Sequence, residues 1–376
     1  MGEVAAVEPV TQTGSMEVGG WAGRRFRPVR EVFAQVVAGQ GGTGAAVAAW
    51  WDGAWVVDLW GGWADAAGTR LWQPDSLVQP YSVAKPFAAV CALLLVDRGQ
   101  LELDVPVRRY WPQFRAGADV RQLLSHQAGV VALDEPVPTE AFYDWDWLCA
   151  LLAAQEPAWA PGTGHGESAL FYGHLVGELV RRVDGRGLGC FLREQVCGPL
   201  GVDFFVGLTA AEQARAVEVT GLDDYCRDRL AGMPELYRRA VTNPPGAFDP
   251  VVVNGSAWRA AEVPAINGHG TARGAAGLYA ALLQGKLLSP ALLGEATAAQ
   301  CSGVDAVFGQ DTAWGLGFGV DTDGFGMGGS GGSYAGASTV GGYAFAFVTG
   351  TMGSDARATA VENTFRGCIG VPPLDD

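Results

Sequence analysis

Two apolar runs open the pattern: Ala45-Ala46-Val47-Ala48-Ala49-Trp50-Trp51 and Ala54-Trp55-Val56-Val57-Asp58-Leu59-Trp60, separated by Asp52-Gly53. Asp-Gly between two such runs predicts a β-hairpin, because the tight turn needs positive φ and glycine supplies it without steric cost. Ala88 to Val96 is apolar throughout, with Ser82 ahead of it as an N-cap, Pro86 in the first turn and Gly99 just past the end. These signals predict a helix opened by Ser82. Asp144 to Ala154 and Leu170 to Val183 also read as helices, within a middle stretch from about Leu101 to Asp249 broken by proline-rich and glycine-rich loops, and Thr271 to Leu283 reads as a further helix after it. The end of the chain is glycine-rich and strand-like at Gly315 to Val320, Tyr334 to Ala337 and Gly342 to Val348. Strands at both ends with helices between predict a sheet assembled from the two termini and a helical lobe inserted between them. The first twenty residues, ending Gly19-Gly20, lack periodicity and read as a flexible lead-in.

Composition narrows the class. Of 376 residues, 49% are hydrophobic and 17% charged, enough apolar surface for a large core in one domain or two interleaved lobes. A net charge of −15 repels nucleic acid and anionic membrane surfaces. No apolar run reaches the length of a membrane span, and Met1 to Ala5 lacks the basic and apolar regions of a secretory signal. Seven scattered cysteines form no CxxC pair, which predicts free thiols in a reducing compartment and a cytoplasmic protein. With four histidines and no metal-ligand spacing, neither a metal nor a cofactor is expected. The expected partner is a small molecule; a homo-oligomer stays open.

Candidate chemistry begins with lysine. The chain holds only two, Lys85 and Lys286, against many arginines. Arginine cannot give up its proton at working pH and lysine can, so a chain that prefers arginine keeps lysine where proton transfer matters. Lys85 lies three residues after Ser82, a spacing that puts both side chains on one helix face. The serine N–H is among the free donors of the helix start and can face a developing oxyanion. Alone, such a pair also fits a capping serine with a solvated lysine one turn on.

Context decides between these. Val57-Asp58-Leu59-Trp60-Gly61-Gly62 precedes Ser82, and Leu123-Leu124-Ser125-His126-Gln127-Ala128-Gly129-Val130 follows it. Then come Pro161-Gly162-Thr163, Pro199-Leu200-Gly201 and Asn267-Gly268-His269-Gly270-Thr271-Ala272-Arg273. In order and rough spacing these motifs resemble the serine β-lactamase-like superfamily, of the class C β-lactamase and family VIII carboxylesterase type. The resemblance runs from about Gly20 to the C-terminus. It implies an α/β (α+β) fold of the β-lactamase/transpeptidase-like kind, an antiparallel sheet sandwiched by helices plus an inserted helical domain. Residues 21–81 and 260–376 would form the α/β domain, residues 82–259 the mainly helical domain carrying the nucleophile helix, and residues 1–20 the lead-in.

At two places the sequence departs from the family pattern. The resemblance implies a catalytic tyrosine after the Pro-Gly-Thr segment; the matching stretch is Gly166-Glu167-Ser168-Ala169-Leu170, with Glu167 at that position. Tyr172 lies five residues on, a spacing that turns it off the same helical face. The resemblance also implies a Lys-Thr-Gly or His-x-Gly strand; the matching stretch runs Gly326-Met327-Gly328-Gly329-Ser330, with Met327 at the basic position. In this register Ser82 and Ser330 supply the two backbone N–H groups of an oxyanion hole. Glu167 has three open roles: base, protonated acid, or mere partner of Lys85. Without a cation at Met327, β-lactam turnover is expected to be negligible.

Other candidates to line the pocket are Gly329, Tyr172, His165, His269, Trp145, Trp159 and Trp314. His126 reads as a structural hydrogen-bonder. Aromatic residues near Pro161 fit either core packing or the floor of a pocket for a large apolar or aromatic substrate. Three functions follow: a serine esterase or acyltransferase acting through Ser82 on a natural-product ester or acyl substrate; a non-hydrolytic biosynthetic enzyme using Ser82, Lys85 and Glu167 for acid–base work; or an inert binding scaffold.

Overall fold

The computed structural model describes residues 18–374. Its main sheet is built from strands near the two ends of the chain: β1 (Gly19–Ala22), β2 (Ala45–Trp51) and β3 (Ala54–Gly61), then β6 (Cys301–Val304), β7 (Asp311–Trp314), β8 (Gly319–Val320), β9 (Gly324–Gly329), β10 (Ser333–Ser338) and β11 (Tyr343–Thr349). The order is β1-β3-β2-β11-β10-β9-β8-β7-β6, and every pairing is antiparallel. A small second sheet pairs β4 (Phe204–Phe205) with β5 (His269–Gly270). The expected hairpin is present: Asp52 and Gly53 both take positive φ, 50° and 80°, the geometry of a two-residue turn.

Alternation along the strands sorts the core into two layers. Val47 and Ala49 of β2 and Tyr343, Phe345 and Phe347 of β11 face the terminal helices α1 (Arg27–Gly39) and α6 (Ala356–Ile369), packing on Phe33, Val361 and Phe365. Ala46, Ala48, Ala344 and Ala346 face the opposite layer, against Ala272, Ala275 and Ala276 of α5 (Ala272–Leu283). These small residues let helix and sheet approach closely. Beyond lie α2 (Lys85–Asp97), α3 (Trp145–Ala154) and α4 (Tyr172–Asp184). α2 is buried on every side from Lys85 to Leu95, the mark of a central helix rather than a surface one.

Three expectations need correction. Gly19 and Gly20, read as the end of a loose lead-in, belong to β1; a Cβ on Gly20 would strike the Asp58 carbonyl and a Cβ on Gly19 would lie 2.5 Å from Trp60. Glycine serves close strand approach there, not flexibility. Residues 1–17 of that lead-in lie outside the described residues. Ser82 does not cap α2: it sits in a 3-10 turn, Tyr81–Ala84, and the α-helix starts at Lys85 with no side-chain cap. Gly315 to Val320 is not one strand, because Gly317 turns at φ 91° where a Cβ would strike Ala89. Among the described residues no helix is long and apolar enough to cross a membrane.

Candidate active site

Tyr81 sets up the nucleophile. Its φ is 49°, left-handed for a side chain that avoids that region, a strain costing about 1–3 kcal/mol. The strain is held by packing: the Tyr81 ring stacks on Phe248 with centroids 5.3 Å apart, and its hydroxyl donates to the Ala247 carbonyl at 3.2 Å. This corner presents Ser82 at the mouth of α2, where it keeps 9% of its surface exposed.

Lys85, with no exposed surface, donates to Ser82 Oγ at 2.8 Å, to Glu167 Oε1 at 2.8 Å and to the Ala265 carbonyl at 3.3 Å. Ser82 Oγ lies 3.4 Å from Glu167 Oε1. Burial pulls the lysine below its ordinary pKa, and the Glu167 carboxylate opposes that pull. Of the two, burial is the larger. An ion pair at this distance is worth about 6 kcal/mol at an effective dielectric of ~20, against several kcal/mol of desolvation per ion.

β9 forms the facing wall. A Cβ on Gly329 would run into the Pro80 carbonyl, so only glycine lets this strand reach the nucleophile turn. Among the described residues neither the Ser82 N–H nor the Ser330 N–H meets an acceptor. Met327, two positions before Gly329 and so on the same strand face, is buried and pairs in register with Ala335.

The segment bearing Glu167 is fixed by its peptide groups. Gly166 N–H donates to His126 O at 3.0 Å, Glu167 N–H to Asp305 Oδ2 at 2.9 Å and Ser168 N–H to His126 Nδ1 at 3.2 Å. His126 lies between Tyr172 and Trp314, 4.4 and 4.5 Å away, and burial holds its pKa well below the ordinary value. Its neutral ring is a hydrogen-bond acceptor here, the structural role its sequence context suggests. Trp159 packs beneath: a Cβ on Gly166 would lie 2.8 Å from its ring.

The remaining candidates divide. Tyr172 is buried, its hydroxyl donating to Leu124 O at 2.9 Å, and burial pushes its pKa up. His165 meets Thr312 Oγ1 at 3.1 Å, and Trp314 Nε1 donates to Asp305 at 3.4 Å. His269 is shut off from solvent with Nδ1 on Asn267 O at 2.7 Å; burial brings its pKa down to about 3. Trp145 stands elsewhere, donating to Glu178 at 2.8 Å and stacking near His174. It lines a cavity of about 300 Å³ with Tyr143 and Glu262, rather than the Ser82 cleft. Asp305 is the site residue that sequence reasoning missed.

A corner serine with a buried lysine three residues on, set between helices and an antiparallel sheet, defines the β-lactamase-like and esterase-like class of serine hydrolases. The chain belongs to the Beta-lactamase family, whose profile matches residues 29–365. It is 32% identical over 281 residues to the esterase/beta-lactamase LipL of Mycobacterium tuberculosis (strain ATCC 25618 / H37Rv); the match covers 71% of this chain but only 64% of LipL. Among solved structures, a family VIII carboxylesterase is 35% identical with a TM-score of 0.86, covering 94% of this chain and 100% of that one. A penicillin-binding protein homolog from Caulobacter crescentus is 34% identical at a TM-score of 0.84, with the same coverage of both chains. The α/β architecture is thus the β-lactamase/transpeptidase fold.

Proposed function

We propose that this protein is a serine esterase that acts on a small-molecule ester through an acyl-Ser82 intermediate, with Glu167 as the proton acceptor. The observation that carries the reading is the set of partners around Lys85 Nζ. Three acceptors surround it, Ser82 Oγ, Glu167 Oε1 and the Ala265 carbonyl. An ammonium has three hydrogens to match them and leaves the Ser82 O–H free to donate to Glu167, whereas a neutral amine would have to take that O–H on its own lone pair. With lysine charged, the serine hydroxyl donates toward Glu167. Ser82 then attacks the ester carbonyl as its proton passes to Glu167. The oxyanion forms against the Ser82 and Ser330 N–H groups, steadied by the Lys85 charge nearby. Collapse expels the alcohol, which takes the proton from Glu167. Water repeats the sequence to release the acid, and a second alcohol in place of water would make the reaction an acyl transfer.

Names of the relatives support the ester. Met327 supports selectivity against β-lactams, whose carboxylate finds no cation at that position. A non-hydrolytic reaction of a natural product is the second reading, favoured by Glu167 standing where the resemblance implies tyrosine. The test is hydrolysis of p-nitrophenyl butyrate beside nitrocefin, with labelling by a fluorophosphonate probe. Ester turnover, weak nitrocefin turnover and a Ser82-dependent label are expected. Turnover that survives Ser82→Ala would favour the second reading.

A further inference from the structure

Asp305 is fully buried, yet among the described residues no cation lies within ion-pair distance of it. Four N–H groups hold its charge instead. Oδ1 accepts from Val307 N at 2.8 Å and Phe308 N at 2.9 Å; Oδ2 accepts from Glu167 N at 2.9 Å and Trp314 Nε1 at 3.4 Å. Burying an unpaired carboxylate is costly, and it persists where every lone pair is met. An asparagine could close the 305–308 turn alone at less expense. Only a carboxylate, accepting on both oxygens, closes that turn and also holds the Glu167 peptide.

The contacts around this carboxylate form a clamp. The loop after Asp305 also grips residue 165, because Ala306 N–H donates to His165 O at 2.9 Å. On the other side of the same segment, His126 takes the Gly166 and Ser168 N–H groups, and Ser168 Oγ donates to Val130 O at 2.9 Å. Three successive peptide N–H groups, 166 to 168, therefore bond alternately to His126, Asp305 and His126. The middle one belongs to Glu167, whose carboxylate must hold a 3.4 Å approach to Ser82.

We propose that Asp305 is a positioning residue for Glu167: by fixing its backbone, it aims the carboxylate at Ser82 Oγ and Lys85 Nζ. This rests on the reading of Glu167 as the base. Asp305→Asn would turn an amide donor toward either the Glu167 and Trp314 donors or the Val307 and Phe308 donors. A base displaced by an ångström loses about 10²-fold, so Asp305→Asn should lower kcat about 10- to 100-fold with KM moving less than about threefold. A purely structural role would instead reduce the folded fraction, scaling kcat with active-site titre.

The deciding measurement is a double-mutant cycle on kcat for p-nitrophenyl butyrate, normalised to the folded fraction measured by circular dichroism. If Asp305 acts through Glu167, Asp305→Asn with Glu167→Gln should be no slower than Glu167→Gln alone, within about threefold, since residues acting as one unit are not additive. A damaging Glu167→Gln whose loss multiplies with that of Asp305→Asn overturns the clamp alone. A silent Glu167→Gln shows instead that the base reading is wrong, and the clamp falls with it. Should Asp305→Asn fail to fold, amide exchange of Glu167 in the unaltered protein decides: exchange far slower than in exposed loops is expected, and exchange at an open-loop rate overturns the clamp.

Discussion

Two of the buried clusters of carboxylates and cations differ in what they can do. Under the sheet, Arg366 of α6 holds Asp323 through two bonds of 2.9 Å and donates to Tyr343 Oη at 2.7 Å, which donates to Glu362 at 2.7 Å. In the cleft, Lys85 and Glu167 meet at 2.8 Å beside Ser82. The first cluster uses a guanidinium, which cannot release its proton, and spends its donors on Asp323, Tyr343 and the Pro372 carbonyl. The second uses one of the chain's two lysines, sets a hydroxyl between it and a carboxylate, and among the described residues leaves two backbone donors beside that hydroxyl unspent. Buried charge alone does not mark a site; a titratable cation beside an open nucleophile does.

The sharpest break between the clusters is Ser82→Ala, which should bring ester hydrolysis to the uncatalysed level. Tyr343→Phe, which opens the structural cluster, should leave kcat within about twofold while lowering stability by about 1.5–3 kcal/mol, as for hydrogen bonds to charged groups. Chemical denaturation beside initial rates separates the two effects.

Glu167→Gln comes next. The amide keeps shape but cannot accept the serine proton, so kcat should fall about 10²–10⁴-fold, the range of general acid–base catalysis. Steady-state rates on p-nitrophenyl butyrate measure it, with thermal melting to show the fold is kept.

A third prediction concerns pH. Burial pushes Glu362 from the ordinary 4.5 up to about 7. A carboxyl whose pKa is raised in the native state binds more protons folded than unfolded between those values, so its contribution is complete below 4.5 and is lost as pH rises through 7. The change is of the order of 3 kcal/mol at most. Urea titrations from pH 4.5 to 8 should show this decline in the native chain and a flatter profile in Glu362→Gln.

The smallest effect should be that of Tyr172→Phe. Its hydroxyl is committed to Leu124 O, so the loss should be about 1 kcal/mol of stability with kcat within about threefold. A crippled Tyr172→Phe beside a silent Glu167→Gln would reverse the assignment of the base.

Legibility in the sequence followed how local each signal was. Asp52-Gly53 announced its hairpin, and the apolar run after Pro86 announced α2, because turn chemistry and periodicity need no distant partner. The pairing of Ser82 with Lys85 was legible in their spacing, but the arrival of Glu167 beside them was legible only through the motif order that carries the family resemblance. α1 went unremarked although Val29, Phe33 and Val37 recur every four residues, and α6 was obscured by Thr359, Asn363, Thr364 and Gly367. Gly315 to Val320 reads as strand because nothing local tells that Gly317 must pass against Ala89. Asp305 carried no signal: before Ala306-Val307 it reads as an ordinary turn aspartate, and its bond to Glu167 spans 138 residues.

In the proposed reaction the acyl group passes through Ser82. Rapid acid quench of the protein with p-nitrophenyl butyrate, followed by peptide mass analysis, tests it directly. A butyryl adduct is expected on the peptide containing Ser82, formed with the burst of p-nitrophenol and absent in Ser82→Ala. Undiminished p-nitrophenol release by Ser82→Ala, or an adduct only on another residue, would contradict it.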